Sequence, residues 1–154
     1  MQPNRFYPYN IPVSFHFQVI FHGRGAKDDS RFQEVGGLTA EMGVEELAVG
    51  GENKFTYRLP TRAKYANLVL KRGMIRNSEL IGWFRSGIQD FIFEPLDLNV
   101  NLLNEEHQVI SSWKIIQAYP VKWAVSDLNA NGNTLVIETI EFAYQYFERM
   151  PEKN

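Results

Sequence analysis

From Val13 to Phe21 the apolar residues Val13, Phe15, Phe17, Val19 and Phe21 occupy every second position, alternating with Ser14, His16, Gln18, Ile20 and His22. Successive side chains of a strand point to opposite faces of a sheet, so a period of two predicts a strand with one buried face. Only Ile20 breaks the polar side. The same alternation returns in Phe55, Tyr57 and Leu59 against Lys54, Thr56 and Arg58, and in Leu96, Leu98, Val100 and Leu102 against Asp97, Asn99 and Asn101. Trp113 and Ile115, then Val121, Trp123 and Val125, predict two strands interrupted near Pro120, because proline has no amide proton for a ladder. Leu135 to Phe147 reads as a long final strand, apolar on both sides apart from Glu138, Thr139, Glu141 and Gln145, as a strand covered on both faces would be.

One segment follows a different period. After Ser78, an N-cap candidate, Leu80, Phe84, Ile88 and Phe91 recur at close to 3.6 residues and predict a helix over 78–91. Gly82 and Gly87 each weaken such a helix by about 1 kcal/mol relative to alanine, so packing against the sheet must hold it. Glycine-rich turn segments at Gly23 to Asp29, Gly36-Gly37 and Gly50-Gly51 separate the strands. Strands, one helix, then strands again predict a mainly β fold, a β-barrel or sandwich with a single α-helix packed outside.

A chain of 154 residues with 44% hydrophobic and 14% aromatic content suits one domain spanning 1–154, and the aromatic load favours strands. The absence of cysteine excludes disulfides and cysteine-based zinc sites. A formal net charge of −2 offers no basic excess for a phosphate backbone, which argues against specific nucleic-acid binding. Residues 1–10 carry two prolines and two tyrosines but no apolar core. They read as a flexible or docking arm rather than a signal peptide. No stretch approaches the roughly 18 apolar residues of a membrane helix, so a soluble protein without membrane anchoring, made in the cytoplasm, is expected.

Candidate chemistry is thin. His16 and His22 share the polar face of the first predicted strand but lie about 20 Å apart along an extended chain, too far for one metal ion. His107 beside Glu105 and Glu106 could hold a metal in principle, yet a solvated turn is the reading preferred. The adjacent pairs Glu45-Glu46 and Glu105-Glu106 do not face each other across a substrate as glycosidase carboxylates do. Trp83, Trp113 and Trp123 could stack sugars, but each falls in a patterned segment where core packing is the commoner use. No nucleophile elbow, zinc-binding His pair or Walker loop occurs. No catalytic, cofactor-binding or metal residue is expected.

Spaced landmarks carry a family resemblance from about Pro12 to Arg149. They are Phe15-His16-Phe17, Phe32-Gln33-Glu34-Val35-Gly36-Gly37-Leu38, Gly50-Gly51-Glu52-Asn53 and Leu59-Pro60, then Leu68-Val69-Leu70-Lys71-Arg72-Gly73. Leu102-Leu103-Asn104-Glu105, Ala118-Tyr119-Pro120-Val121-Lys122-Trp123, Ile137-Glu138-Thr139 and Tyr144-Gln145-Tyr146-Phe147 follow in order. The chain resembles tube proteins of contractile injection systems, the family of contractile-phage tail tubes, extracellular phage-tail-like particles and Hcp-like proteins. Gly36 stands where that pattern suggests serine.

The resemblance implies a barrel-like subunit in homo-hexameric rings that stack into a hollow inner tube. A contractile sheath would drive that tube, with a baseplate, spike and tube-initiator protein at its end and tape-measure or cargo in its lumen. It also implies no catalysis and no cofactor. The expected subunit and ring contacts are Gly36, Gly37, Leu38, Glu41, Glu45, Glu46, Gly50, Gly51 and Asn53, with Glu41 to Asn53 as a protruding loop. The polar positions Asp97, Asn99 and Asn101 are expected to line either the lumen or a subunit contact. Two other readings remain open at this level: a tube-initiator paralogue at the baseplate end, and a monomeric β-sandwich binding carbohydrate through exposed tryptophans.

Overall fold

A computed structural model describes residues 17–23, 32–51 and 54–151. The expected arm at 1–10, the start of the first strand with Val13 and Phe15, the turn residues 24–29, and Asn53 lie outside the described residues. Among the described residues, nine strands and one helix follow in the order β1 (Phe17–Phe21), β2 (Glu34–Gly36), β3 (Ala40–Leu47), β4 (Tyr57–Tyr65), β5 (Leu68–Gly73), α1 (Glu79–Asp90), β6 (Leu96–Leu103), β7 (Val109–Val125), β8 (Ile137–Ala143) and β9 (Tyr146–Arg149). Seven strands form one antiparallel sheet in the order β1-β6-β7-β8-β5-β2, with β9 on β7, while β3 and β4 pair only with each other. The fold is mainly β with one helix, as the alternation predicts.

Period-two patterning places the core. Val19 and Phe21 of β1, Leu98 and Val100 of β6, Leu68 and Leu70 of β5, and Ile140 and Phe142 of β8 are buried together with Ile115 and Ala118 of β7. The sheet curls enough for its ends to meet: the Phe21 ring lies 6.3 Å from Phe32, just before β2, and 5.9 Å from Phe142. Each fully buried side chain of this size contributes roughly 1.5–3 kcal/mol, so these strands form the stable part of the molecule.

The helix has its expected start. Ser78 is the N-cap, its Oγ accepting the Ile81 amide proton at 3.4 Å, and Glu79 in the first turn suits the positive end of the helix dipole. The buried face differs from the expected one. Leu80 and Trp83 face the core, and Phe84 packs against Trp123 with ring centroids 6.5 Å apart. Ile88 and Phe91, by contrast, are 58% and 80% exposed. At 3.6 residues per turn, position 88 has drifted roughly 80° around from position 80, and the helix ends at Asp90, leaving Phe91 as its C-cap.

Three strand boundaries also differ from expectation, the first being β4, which begins at Tyr57, beyond Phe55, and runs on to Tyr65. β7 runs unbroken through Pro120, which sits beside a register shift against β8, the irregularity that tolerates a missing amide proton. The bend falls earlier, at Gln117, whose φ is 54° and whose amide donates to the Asp97 carboxylate. Beyond that bend β7 exchanges one neighbour for another, pairing β9 at Trp113–Ile116 and β8 at Tyr119–Val125. The expected final strand divides for the same reason, at Tyr144-Gln145, where the Gln145 amide bonds the Ile116 carbonyl at 3.0 Å.

Candidate functional site

The expected contact residues converge on one structure, the β3–β4 hairpin. The segment expected as a loop over Glu41 to Asn53 is instead mostly strand: Ala40–Leu47 pairs antiparallel with Tyr57–Tyr65, and the turn is confined to its far end, where Gly50 and Gly51 lie. The adjacent Glu45-Glu46 and the central Gly43 give this segment no clear alternation; pairing with β4 makes it a strand. Asn53 lies outside the described residues.

Gly36, Gly37 and Leu38 lie at the root of the hairpin. Gly36 ends β2, and a side chain there would meet nothing within 4 Å. Gly37 is different in kind: its φ is +86°, and a Cβ would collide with the Asn67 carbonyl oxygen and lie 2.9 Å from its carbon. Only glycine fits both constraints. Leu38 packs partly buried against the core. Thr39 and Ala66 close the root, the Ala66 amide donating to the Thr39 carbonyl at 3.2 Å.

Cross-strand pairing fixes which side chains share a face. On one face lie Ala40, Met42, Val44 and Glu46 opposite Tyr65, Ala63, Pro60 and Arg58. On the other lie Glu41, Glu45 and Leu47 opposite Lys64, Leu59 and Tyr57. Between them Gly43 faces a bulge in β4, where a side chain would strike Thr61. Apolar residues of both faces are exposed: Met42 is 62% exposed and Val44, Leu47, Phe55, Tyr57 and Leu59 are about half exposed. Glu41, Glu45 and Glu46 are exposed as well. A two-stranded ribbon has no second layer to cover either face, and such hairpins are marginal alone.

What holds the ribbon to the body is aromatic. Tyr65, the last residue of β4, packs tilted against Tyr144 and edge-on against Phe147, with centroids 6.0 and 5.5 Å away, at the break between β8 and β9. The Tyr144 hydroxyl donates to the Gly37 carbonyl at 3.4 Å. Burial, assisted by the neighbouring Tyr65, pushes the Tyr144 phenol up to about 12.

A second surface is polar. The expected row Asp97, Asn99 and Asn101 on β6 bonds sideways to its neighbours: Asn101 Oδ1 accepts from Ser112 at 2.6 Å, Asn99 Oδ1 lies 2.9 Å from His22 Nε2, and Lys114 pairs with Asp97 at 3.5 Å. The Gln117 amide, and then Lys114, hold the Asp97 carboxyl below its ordinary value. These groups already satisfy one another across neighbouring strands, with Asn101 buried at 7% exposure and Asp97 and Asn99 half-buried.

Elsewhere the candidate chemistry resolves into structure. His107 sits in a tight turn with φ 63°, where Asn104 Oδ1 accepts the Glu106 and Gln108 amides. Trp83 is 2% exposed and its indole donates to the Glu94 carbonyl, while the Trp123 indole reaches Glu138. Trp113 and Trp123 pack partly buried against the core, so no tryptophan forms an open stacking platform. Sequence reasoning missed Arg72 and Glu138, a buried ion pair at 2.8 Å with both side chains 1% exposed. Arg72 also donates to Ser78 Oγ and lies over the Phe32 ring at 5.2 Å. The signal available was a lone charge at an inward position of each strand.

Residues 13–148 match the family described as T4-like virus tail tube protein gp19. No curated protein sequence matches the chain significantly. Among solved structures, the chain resembles one in the six-fold symmetrised cryo-EM structure of the anti-feeding prophage (AFP) baseplate. The TM-score is 0.82 and identity 28%, covering 92% of this chain and 97% of that one. It shares its fold with a chain of the PVC extracellular contractile injection system sheath–tube complex in the extended state, at TM-score 0.77 and 23% identity, covering 94% and 93%. Hcp1 from Flavobacterium johnsoniae has a more distant version of that fold, at TM-score 0.51 and 15% identity, covering 86% and 93%. With nearly its whole length matched, curled antiparallel sheet and hairpin included, the chain belongs to the T4-like tail tube family of contractile injection systems.

Proposed function

We propose that this protein is the structural subunit of the inner tube of a contractile, phage-tail-like injection particle. Homo-hexameric rings stack into a hollow tube, and contraction of a surrounding sheath drives that tube forward. The observation that carries this reading is the hairpin: a ribbon with apolar side chains exposed on both faces, in a tail tube family member, acquires its covering layer from neighbouring copies. Gly36, Gly37 and Leu38 at its root, Glu41, Glu45 and Glu46 along it, and Gly50 and Gly51 at its end form the subunit and ring contact, together with Asn53. The polar row Asp97, Asn99 and Asn101 lies on the lumen side, since it lacks the apolar surface by which copies join.

The whole chain acts as one tail-tube domain and catalyses no reaction. Its partners are further copies of itself, the sheath, the baseplate and spike with a tube initiator, and tape-measure or cargo in the lumen. Among the described residues no helix is long and apolar enough to cross a membrane. Assembly takes place in the cytoplasm, into a phage-like particle. Negative-stain electron microscopy of the concentrated protein, with light scattering for mass, tests the reading. Six-fold rings or hollow tubes are expected; monomers that persist after baseplate components are added would sink it.

A second reading has one observation in its favour. Similarity to the chain in the AFP baseplate structure, at 28% identity and TM-score 0.82, exceeds that to the chain in the PVC sheath–tube complex, at 23% and 0.77. A tube-initiator subunit at the baseplate end accounts for that difference. A tagged copy found along the whole particle selects the main tube, and one confined to an end selects the initiator.

A further inference from the structure

The segment that ends α1 exposes a second apolar surface, on the body of the molecule rather than on the hairpin. Phe91 is 80% exposed, and Ile88, Ile92 and Phe93 are more than half exposed. The segment is nonetheless pinned. The Phe91 and Ile92 amides both donate to the Ser86 carbonyl, the Trp83 indole holds the Glu94 carbonyl at 3.1 Å, and the Phe93 ring meets Tyr119 edge-on at 6.2 Å. These bonds hold the aromatic rings outward.

Phe91 also occupies the left-handed C-cap position, with φ 54° and ψ 29°, where glycine is the favoured residue and a bulky side chain is an outlier. A large apolar residue that is both strained and exposed gains nothing inside its own chain.

We propose that Ile88, Phe91, Ile92 and Phe93 form the seat for the hairpin of a second copy of this chain, with β4 lying against it. This deepens the assembly reading and rests on it. Charge selects β4 over β3: Asp90 and Glu94 flank the seat, and β4 exposes Arg58 beside Pro60 and Ala63 on one face, Lys64 beside Tyr57 and Leu59 on the other, and Arg62 at the bulge, whereas β3 exposes Glu41, Glu45 and Glu46. Seat and ribbon are different surfaces of one chain, so each copy offers one of each. Such a contact is heterologous and propagates from copy to copy instead of closing a pair. A central aromatic anchor held in place before binding, with a charged rim, has the anatomy of a binding hot spot.

Replacing Phe91 with the photo-crosslinker p-benzoylphenylalanine, in assemblies first verified by electron microscopy, tests the contact. Cross-links are expected to residues 54–65 of another copy. Cross-links to the sheath, to another region of a neighbour, or within the same chain would overturn it while leaving ring and tube formation intact. Failure of the unmodified protein to assemble, even with baseplate components, overturns the assembly reading and this inference with it.

Phe91→Gly provides a second arm, because it relieves the left-handed strain and removes the anchor together. The expected result is a subunit whose thermal midpoint is unchanged or raised and whose assembly needs at least about tenfold higher concentration. Unchanged assembly, or assembly lost together with a lowered midpoint, overturns the proposal.

Discussion

Gly37 and Gly36 stand side by side and carry unequal constraints. At Gly37 a Cβ meets the Asn67 backbone and the φ is +86°, whereas the space around Gly36 is open. Gly37→Ala is therefore expected to cost well over ~1 kcal/mol in urea denaturation, and Gly36→Ser, the residue the family pattern suggests, to stay within about 0.5 kcal/mol. Tyr144, whose hydroxyl reaches the Gly37 carbonyl, reports on the same junction through pH. Its phenol is raised from 10.0 to about 12, first by burial and then by Tyr65. Below pH 10 it is protonated in folded and unfolded chains alike, and its contribution is fully present. Between pH 10 and about 12 the unfolded chain ionises first, so that contribution is lost as pH rises. Stability measured across this window should fall less steeply in Tyr144→Phe than in the parent protein.

Among the elements, α1 and β5 are joined by charge. Arg72 on β5 pairs with Glu138 on β8 and donates to the N-cap Ser78, and Trp123 of β7 reaches the same carboxylate. One buried pair thus ties two strands, a third strand and the start of the helix. Breaking a buried pair from one side leaves an uncompensated charge, which costs about 3–5 kcal/mol. Arg72→Met and Glu138→Gln should each lose stability of that order by chemical denaturation. The double substitution should lose less than the sum, since the stranded charge is then gone. The hairpin has the opposite character: its side chains touch little of the body beyond Tyr65. Met42→Asp with Val44→Asp should leave the thermal midpoint within a few degrees and abolish ring or tube formation seen by electron microscopy. Intact tubes from this variant would exclude that face from the contact.

The molecule as a whole has two levels of order. The curled sheet buries its apolar residues inside one chain, while the ribbon and the end of α1 expose theirs. Amide exchange follows that division. In the isolated subunit β5, β6 and β8 should exchange slowly and β3 and β4 rapidly, with the hairpin becoming protected on assembly; a hairpin as slow as the sheet in the free subunit would contradict the division. Much of this was legible from residues alone. Alternation marked β1, β6 and the first residues of β4, though not that Tyr57 and Leu59 stay exposed, Ser78 marked the start of α1, and the glycine pairs marked chain turns, because each is a local property of backbone and neighbouring side chains. Expectation failed where the outcome depended on distant residues. β7 continues through Pro120 because a register shift against β8 absorbs it, and the last strand breaks at Tyr144 because β7 bends opposite. Glu41 to Leu47 became strand because Tyr57–Tyr65 lies beside it. Sequence by itself determined the clearly alternating strands, the start of the helix and the family, since periodicity and turn chemistry are written within a few residues. Tertiary structure alone decided which apolar faces are covered: a face carries the same pattern whether its own sheet or another copy buries it.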